Sequence, residues 1–259
     1  MPSLTIRDTK RVSTLRPARL EIDPTAIADN LRAVACLVGP GVRLIAVVKA
    51  EAYGHGALVA SHACLAAGAD MLAVALLEEG LALRHQGVLA PILVMGALLP
   101  MQAATVVEAD LTATVMDVDF ARALSAAAAA RGERATVHLK VDTGMNRGGI
   151  RSDELAGALP QLAGLTHLRW EGIMSHLADP LGDPEYTRRQ VAEFRGAIAA
   201  TEAVLGPLPY HHLASTPALC ALPESRFTAV RPGNMLYGAC EGVPADRCPV
   251  LRPAMTLKA

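Results

Sequence analysis

The amino-acid sequence predicts an α/β fold, a (β/α)₈ TIM-like barrel. Eight or so apolar, strand-like segments alternate with helical segments and are joined by short loops, which is typical of this fold. With 259 residues and 52% hydrophobic content, the chain can bury the core of one barrel. The residues of chemical interest follow the ends of predicted strands, and a closed barrel brings such ends to one mouth. The alternative is an open, doubly wound sheet, which would gather only the residues near its switch point.

The elements can be assigned in order along the chain. Asp23 is the expected N-cap of a first helix and Pro24 its first residue, because an Asp side chain accepts backbone N–H groups and proline fits the first turn. The predicted strands span residues 44–48, 71–75, 92–95, 111–115, 135–141, 170–175, 211–214 and 228–231. Helices are predicted at 58–67, 78–85, 154–162 and 185–205, and an Ala-rich helix ends at Ala130.

Composition and charge argue against several classes of function. The formal net charge is −1, and no basic stripe interleaved with aromatic residues is present, so we expect no nucleic-acid partner. No stretch of about 18 uncharged apolar residues occurs, so we expect no membrane partner and no membrane span. The five cysteines form no CxxC pair, and we interpret them as reduced thiols of a cytoplasmic protein. No metal site is predicted.

The segment 44–56 ends an apolar strand in a lysine and a glycine-bounded turn. Burial at a strand end disfavours the charged form of the Lys49 amine, and a neutral amine is what a lysine needs to form a Schiff base. Gly54 and Gly56 allow a sharp turn close to a ligand, and Tyr53 offers a hydroxyl group. The alternative is a lysine that only extends its charge to solvent.

A second segment, residues 138–150, places charged side chains after an apolar strand and on a turn with three glycines. Such a turn lets the guanidinium group of Arg147 approach an anion closely. A simple ion pair between Lys140 and Asp142 on a loop is the alternative interpretation of the same residues.

Two more predicted strands end in polar side chains. His176 ends one of them, where a structural histidine is the alternative to a functional one. Ser215 and Thr216 follow another and supply hydroxyl groups, whereas Pro217 has no backbone N–H group to offer a ligand.

The last strand end carries Arg231 and then Gly233 and Asn234. Because arginine has only hydrogen-bond donors and stays protonated, Arg231 would keep a ring nitrogen that it faces unprotonated, and an unprotonated heterocycle is a weak electron sink. The backbone N–H groups of Gly233 and Asn234 are accessible to a phosphate group because Gly233 has no side chain.

These segments resemble the signature sequences of the alanine racemase family. The resemblance rests on KAEAYGHG (49–56), KVDTGMNR (140–147), MSHLA (174–178), HLASTPA (212–218) and RPGNMLYG (231–238). Glu51 replaces the usual Asn or Asp, and Ser215 stands where Asn is usual. The family binds pyridoxal 5′-phosphate, so the resemblance implies that Lys49 forms a Schiff base with this cofactor and that Tyr53 hydrogen-bonds its phosphate group.

The resemblance also assigns roles to the other candidate residues. Arg147 would contact the phenolic oxygen of the cofactor and the substrate carboxylate, and Lys140 would be carbamylated to an anion that holds Arg147. His176 would pack near the pyridine ring and support the arginine beneath it. The remaining cofactor contacts would come from Ser215, Thr216, Arg231, Gly233 and Asn234.

The function that the resemblance implies is interconversion of L- and D-alanine for peptidoglycan precursors by a cytoplasmic homodimer. Family members continue for about a hundred residues into a β-rich domain that supplies a catalytic tyrosine. We therefore expect an N-terminal arm (1–18), a cofactor-binding barrel (19–250) and the start of a linker (251–259), and we expect the 259-residue chain to racemise alanine poorly.

Other functions remain open for a barrel of this kind. A serine or broad-specificity racemase or an amino-acid decarboxylase could use the same cofactor. A single-domain carrier of pyridoxal phosphate without catalytic activity is the non-enzymatic alternative.

Overall fold

A computed structural model describes residues 17–259 of the chain as a closed parallel barrel with an additional two-stranded sheet. The described strands are β1 (Arg19–Ile22), β2 (Arg43–Val47), β3 (Met71–Val74), β4 (Ile92–Val94), β5 (Thr112–Val115), β6 (Ala135–Asp142), β7 (Ile150–Arg151), β8 (Leu168–Met174), β9 (Tyr210–Ser215), β10 (Ala229–Arg231) and β11 (Met255–Lys258). Eight of them, β2 to β6 and β8 to β10, pair in parallel around the barrel. Because β10 pairs with β2, the barrel is closed and the open-sheet alternative is excluded.

Helices connect most of the barrel strands. They are α1 (Pro24–Val38), α2 (Lys49–Gly54), α3 (Ala57–Ala66), α4 (Leu77–His85), α5 (Ala103–Glu108), α6 (Val118–Ala130), α7 (Leu155–Ala163), α8 (Pro184–Leu205) and α9 (Thr216–Ala221). Within residues 17–259, three short 3₁₀ helices lie at Pro100–Gln102, Pro223–Ser225 and Asn234–Tyr237. The Asp23 carboxylate caps α1 by accepting the N–H groups of Thr25 and Ala26, as predicted.

The barrel has a hydrophobic core on each side of its strands, because side chains alternate along a strand. On β2, Ile45 and Val47 join the inner cluster, whereas Leu44 and Ala46 join the larger cluster beneath the helices. The inner cluster also contains Met71, Ala73, Leu93, Met174 and Ala229. It shares the barrel interior with buried polar side chains from β5, β6, β9 and β10.

The sequence prediction missed several short elements. The helices α5 and α9 have only six residues each, too few for a helical period to stand out from the surrounding residues. The strands β1 and β11 pair antiparallel, and β11 lies within the segment that the sequence assigns to the start of a linker. The proposed N-terminal arm lies almost wholly outside the described residues.

The expectation of five reduced cysteines is wrong for one pair. Cys240 and Cys248 are joined by a disulfide bond, because the turn-rich loop between them returns the second cysteine to the first. Cys36, Cys64 and Cys220 are free thiols. Among residues 17–259, no helix combines the length and apolar composition needed to cross a bilayer.

Candidate active site

A cavity of about 430 Å³ opens at the carboxyl ends of the barrel strands. All ten candidate residues from the sequence line this cavity: Lys49, Tyr53, Lys140, Arg147, His176, Ser215, Thr216, Arg231, Gly233 and Asn234. Closure of the barrel brings them together, since they follow five different strands of the sheet. The structure therefore places the candidates in one site and leaves their individual roles to be argued from their contacts.

Lys49 begins a left-handed helical turn at the mouth of the barrel. The residues from Ala50 to Tyr53 have φ between 51° and 54°, a conformation that costs about 1–2 kcal/mol per L-residue. Gly54 and Gly56 also have positive φ angles, as the sequence predicts for a sharp turn. This turn leaves the Lys49 amine 6.0 Å from the centre of the Tyr53 ring.

Two carboxylate side chains hold this strained turn in place, one from α4 and one from the turn itself. One oxygen of the Glu79 carboxylate accepts the N–H group of Ala50 at 2.6 Å, and the other accepts those of Ala75 and Leu76. Glu51, which departs from the usual family residue, accepts the N–H group of Ala57 at the start of α3.

An aromatic cluster supports the other side of the same turn. The His55 ring stacks on the Tyr237 ring at a centroid distance of 4.5 Å, and the Tyr53 ring lies 5.3 Å from it. The Tyr237 hydroxyl donates to the carbonyl of Val47 at 2.9 Å. Tyr237 thus connects the end of β2 to the turn that follows Lys49.

Three polar groups form one corner of the cavity. The Gly233 N–H group donates to the Thr216 hydroxyl at 3.2 Å. A Cβ atom on Gly233 would lie 2.8 Å from the Tyr53 hydroxyl oxygen, so only glycine lets this hydroxyl approach the backbone so closely. The corner therefore combines two hydroxyl groups and a backbone amide, which are groups suited to phosphate oxygens.

Arg231 is buried and is fixed by several acceptors. Its Nη1 donates to the carbonyl and to Nδ1 of His212, and its Nη2 donates to the carbonyls of Ser175 and Leu213 and, at 3.3 Å, to Nδ1 of His176. Burial and the nearby charge of Arg147 lower the Arg231 pKa to about 9, which leaves the guanidinium charged at neutral pH.

A chain of buried side chains continues from Arg231 through the barrel interior. Because Arg231 can only donate, His212 Nδ1 is the acceptor and its Nε2 carries the proton toward Nδ1 of His138, 2.8 Å away. His138 then directs Nε2–H toward Glu171 at 3.4 Å. Burial lowers the pKa of both histidines, so both are neutral, in agreement with these proton positions.

The contact between His138 and His212 depends on a glycine in β8, the strand that lies between β6 and β9. Gly172 on β8 pairs with His138 on β6, and β8 also pairs with β9, which carries His212. A Cβ atom on Gly172 would lie 2.8 Å from the His138 ring. Without a side chain at this position, the two rings can meet across β8.

The other side of the cavity carries cations without protein partners. Lys140 is buried, and burial first, then the charges of Arg147 and Arg231, lower its pKa to about 8. Within residues 17–259, neither the Lys140 ammonium group nor the Arg147 guanidinium group has a hydrogen-bond or ion-pair partner. The alternative ion pair with Asp142 is absent there, because that carboxylate accepts the N–H groups of residues 144 and 146–148.

The charge of the cavity favours anions. Its lining contains two lysines and two arginines, and no carboxylate among the described residues. His176 adds no charge near neutral pH, because burial and the neighbouring arginines lower its pKa to about 3.

The sequence comparisons identify the family. Residues 22–241 match the model of the family "Alanine racemase, N-terminal domain". The chain belongs to this family. It is 42% identical to the alanine racemase of Desulfovibrio desulfuricans, covering 96% of this chain and 67% of that relative. It is 41% identical to the alanine racemase of Desulforamulus reducens, covering 94% of this chain and 66% of that relative.

Solved alanine racemase structures share the fold. The alanine racemase of Clostridium difficile 630 in complex with cycloserine superposes with a TM-score of 0.88 at 30% identity, over 94% of this chain and 68% of that one. The alanine racemase of Streptomyces coelicolor A3(2) superposes with a TM-score of 0.85 at 36% identity, over 95% of this chain and 67% of that one. The chain thus spans about two thirds of the length of these alanine racemases.

Several residues that shape this alanine racemase barrel site were not singled out by sequence reasoning. They are Glu79, His138, Gly172, His212 and Tyr237. His138 and His212 both lie in strands that precede candidate residues, and a polar ring at an inward position of a buried strand is a usable signal. Glu79 gives no such signal for its contact with the turn after Lys49, because Ala50 lies 29 residues away in the sequence.

Proposed function

We propose that this chain is the cofactor-binding barrel of a pyridoxal-phosphate-dependent alanine racemase. The observation that carries the proposal is the position of Lys49, on a strained, braced turn that faces a cationic cavity containing the other candidate residues. The relatives named alanine racemase support the same assignment. The cofactor and the substrate follow from the family.

The residues of the cavity fit this cofactor. The corner formed by Tyr53, Thr216 and Gly233, together with Asn234 and Ser215, would hold the phosphate group, and Lys49 would bind the cofactor covalently. The terminal nitrogens of Arg231 are engaged by the protein, and its Nε–H group has no partner among the described residues. That N–H group would face the pyridine nitrogen, which must then accept a hydrogen bond and stay unprotonated.

The reaction needs a proton to leave one face of the substrate Cα atom and another to arrive on the opposite face. Bound pyridoxal phosphate delocalises the electron pair that the departing proton leaves behind. The Lys49 amine would accept and return the proton on one face. Arg147, whose guanidinium has no partner within the described protein, would bind the substrate carboxylate as a fork.

Carbamylation of Lys140 is part of the proposal. Its pKa of about 8 supplies neutral amine near neutral pH, and carbon dioxide can add to that amine with release of a proton. The resulting anion would replace repulsion between Lys140 and Arg147 with attraction. A ¹³C-carbamate resonance in protein supplied with ¹³C-bicarbonate, lost in Lys140→Met and kept in Lys258→Met, tests this assignment.

We also propose a cytoplasmic homodimer that supplies D-alanine for peptidoglycan. Leu76, Leu99 and Met101 are exposed apolar side chains in the segments that follow β3 and β4, on the side of the cavity mouth. A partner subunit would cover them. Light scattering of the purified chain, compared with Met101→Glu, tests for an interface at this face.

The function is tested best by exchange at Cα, because exchange requires a base on only one face. The chain with pyridoxal phosphate is incubated with L- or D-alanine in D₂O, and loss of the Cα proton is followed by NMR. We expect exchange of one enantiomer, a loss of at least about 10²-fold in Lys49→Ala, and no change in Lys258→Ala.

Other outcomes would identify the alternatives. Cofactor binding without exchange of any amino acid would favour a carrier. Release of carbon dioxide would indicate a decarboxylase. Faster exchange of serine than of alanine would indicate a serine or broad-specificity racemase.

A further inference from the structure

Three cysteine sulfur atoms lie together outside the cavity. Cys220 Sγ is 3.7 Å from Cys240 Sγ, and Cys240 is bonded to Cys248. The three sulfur atoms all lie within 4.8 Å of one another. Cys220 is buried, whereas the other two are partly exposed. None of them lines the cavity.

Separate parts of the chain bring these sulfur atoms together. Cys220 lies on α9, which begins at Thr216, and Cys240 follows the 3₁₀ helix that begins at Asn234. The loop after Cys240 turns back through a hydrogen bond from the Val243 N–H group to the Cys240 carbonyl. The cluster therefore joins two segments that start at the polar corner of the cavity.

A disulfide bond accounts for only two of the three cysteines. Thiol–disulfide exchange would give the third a role, but it requires the three sulfur atoms in a line. With Cys240 in the centre, a contact of 3.7 Å and a disulfide bond of about 2.05 Å would separate the outer sulfurs by roughly 5.8 Å. The observed limit of 4.8 Å instead describes a compact triangle.

Three thiolates bound to one metal ion also form a compact triangle. Tetrahedral Zn²⁺ with Zn–S bonds of about 2.3 Å separates its sulfur ligands by roughly 3.8 Å, close to the distance between Cys220 and Cys240. The Cα atoms of Cys240 and Cys248 are 6.6 Å apart, at the upper end of the range for disulfides of about 4.4–6.8 Å. Separation of their sulfurs on reduction thus requires little backbone movement.

We propose that Cys220, Cys240 and Cys248, once reduced, bind a thiophilic divalent metal ion of the Zn²⁺ class. A two-electron reductant, such as a phosphine that water converts to its oxide, turns the bond between Cys240 and Cys248 into two thiols. The three thiols then release three protons to solvent and bind the ion as thiolates. Burial raises the pKa of the Cys220 thiol, and the nearby charge of Arg226 partly offsets this by favouring the thiolate.

The fourth coordination position is open to solvent or another small ligand. Within residues 17–259, no His, Asp or Glu side chain joins the three cysteines. The ion would fix α9 to the segment that follows Asn234, so its binding should raise the midpoint of thermal unfolding of the reduced chain.

The experiment titrates the reduced 259-residue chain with Cd²⁺, whose bonds to thiolates give an ultraviolet charge-transfer band, and with Zn²⁺ in equilibrium dialysis. We expect one ion per chain and an unchanged result in Cys36→Ser, a matched thiol outside the cluster. Cys220→Ser, Cys240→Ser and Cys248→Ser should each weaken binding by more than about tenfold.

The variants also separate metal binding from folding. Cys248 is partly exposed, so Cys248→Ser should keep the circular dichroism spectrum of the parent chain even if the buried Cys220→Ser does not. Absence of the charge-transfer band in the reduced parent chain would overturn the proposal. Equal binding by the parent and a folded Cys248→Ser would also overturn it, because the ion would then lie elsewhere.

Discussion

The two walls of the cavity hold their cations in opposite ways. On the wall formed by β8, β9 and β10, the Arg231 guanidinium is buried and bonded to backbone carbonyls and to His212. On the wall formed by β6 and the loop after it, the Lys140 and Arg147 cations have no partner in residues 17–259. The terminal nitrogens of the first cation find their acceptors within the protein, whereas the cations of the second wall require an anion.

This difference indicates which cations are held in position by the protein itself and which are positioned by a bound ligand. A guanidinium with five acceptor contacts cannot move to suit a substrate, so Arg231 defines a fixed point for the cofactor. Arg147 is exposed and can adapt its position to a carboxylate. We expect substitutions in the fixed wall to cost stability and substitutions in the other to cost binding.

The largest effect is expected from Arg231→Ala. Removal of the guanidinium leaves buried carbonyl groups and His212 without their donor, which should lower the free energy of unfolding by about 3–5 kcal/mol. Arg147→Ala should change it by less than about 0.5 kcal/mol, because nothing in the described protein depends on that side chain. Urea denaturation of both variants measures the difference, and equal losses of stability would remove the distinction between the walls.

Gly172→Ala tests the histidine chain that runs from Arg231 of the fixed wall to His138 on β6. Its methyl group would push against the His138 ring and separate it from His212, at a cost of about 1–3 kcal/mol. Gly157→Ala on α7 is the control, because a Cβ atom there meets nothing within 4 Å. If the midpoint of thermal unfolding fell equally in both variants, or fell in neither, close packing at Gly172 would not contribute to stability.

The buried histidines and Lys140 should also affect stability in different pH ranges. His138, His176 and His212 have lowered pKa values in the folded chain, so below pH 6.5 the unfolded chain binds protons that the folded chain does not. Stability should therefore fall with decreasing pH below 6.5, by up to about 1.4 kcal/mol per pH unit for each histidine. Isothermal denaturation between pH 4 and pH 7 measures this slope, and a flat profile would contradict neutral buried histidines.

The pKa of Lys140 is also lowered, to about 8 from 10.5, but its effect lies at alkaline pH. In buffer free of carbon dioxide, where Lys140 stays an amine, the unfolded chain binds more protons than the folded chain between these values, so stability should rise with pH. Lys140→Met should remove that rise and leave the acid slope unchanged. An identical alkaline profile for the variant would show that Lys140 does not cause it.

The barrel and the candidate residues at the cavity could be predicted from local sequence patterns, because apolar runs mark the strands and the polar residues at their ends mark the cavity mouth. Apolar runs such as Leu44–Val48 identify strands, and the carboxyl ends of parallel strands must meet once the barrel closes. The bracing of the site depends on strand register and could not be predicted in this way. Gly172 matters because it pairs with His138, which the sequence of neither strand shows. Glu79 matters because α4 lies beside the turn that follows Lys49.

The proposed function depends most directly on Lys49 as the residue that binds pyridoxal phosphate. The chain is incubated with the cofactor, treated with borohydride to make the bond to lysine permanent, and digested for mass spectrometry. We expect the cofactor mass on the peptide containing Lys49, unchanged labelling in Lys258→Ala, and no labelled peptide in Lys49→Ala. Labelling of Lys140 or Lys258 in preference to Lys49, or no labelling of the parent chain, would contradict the account.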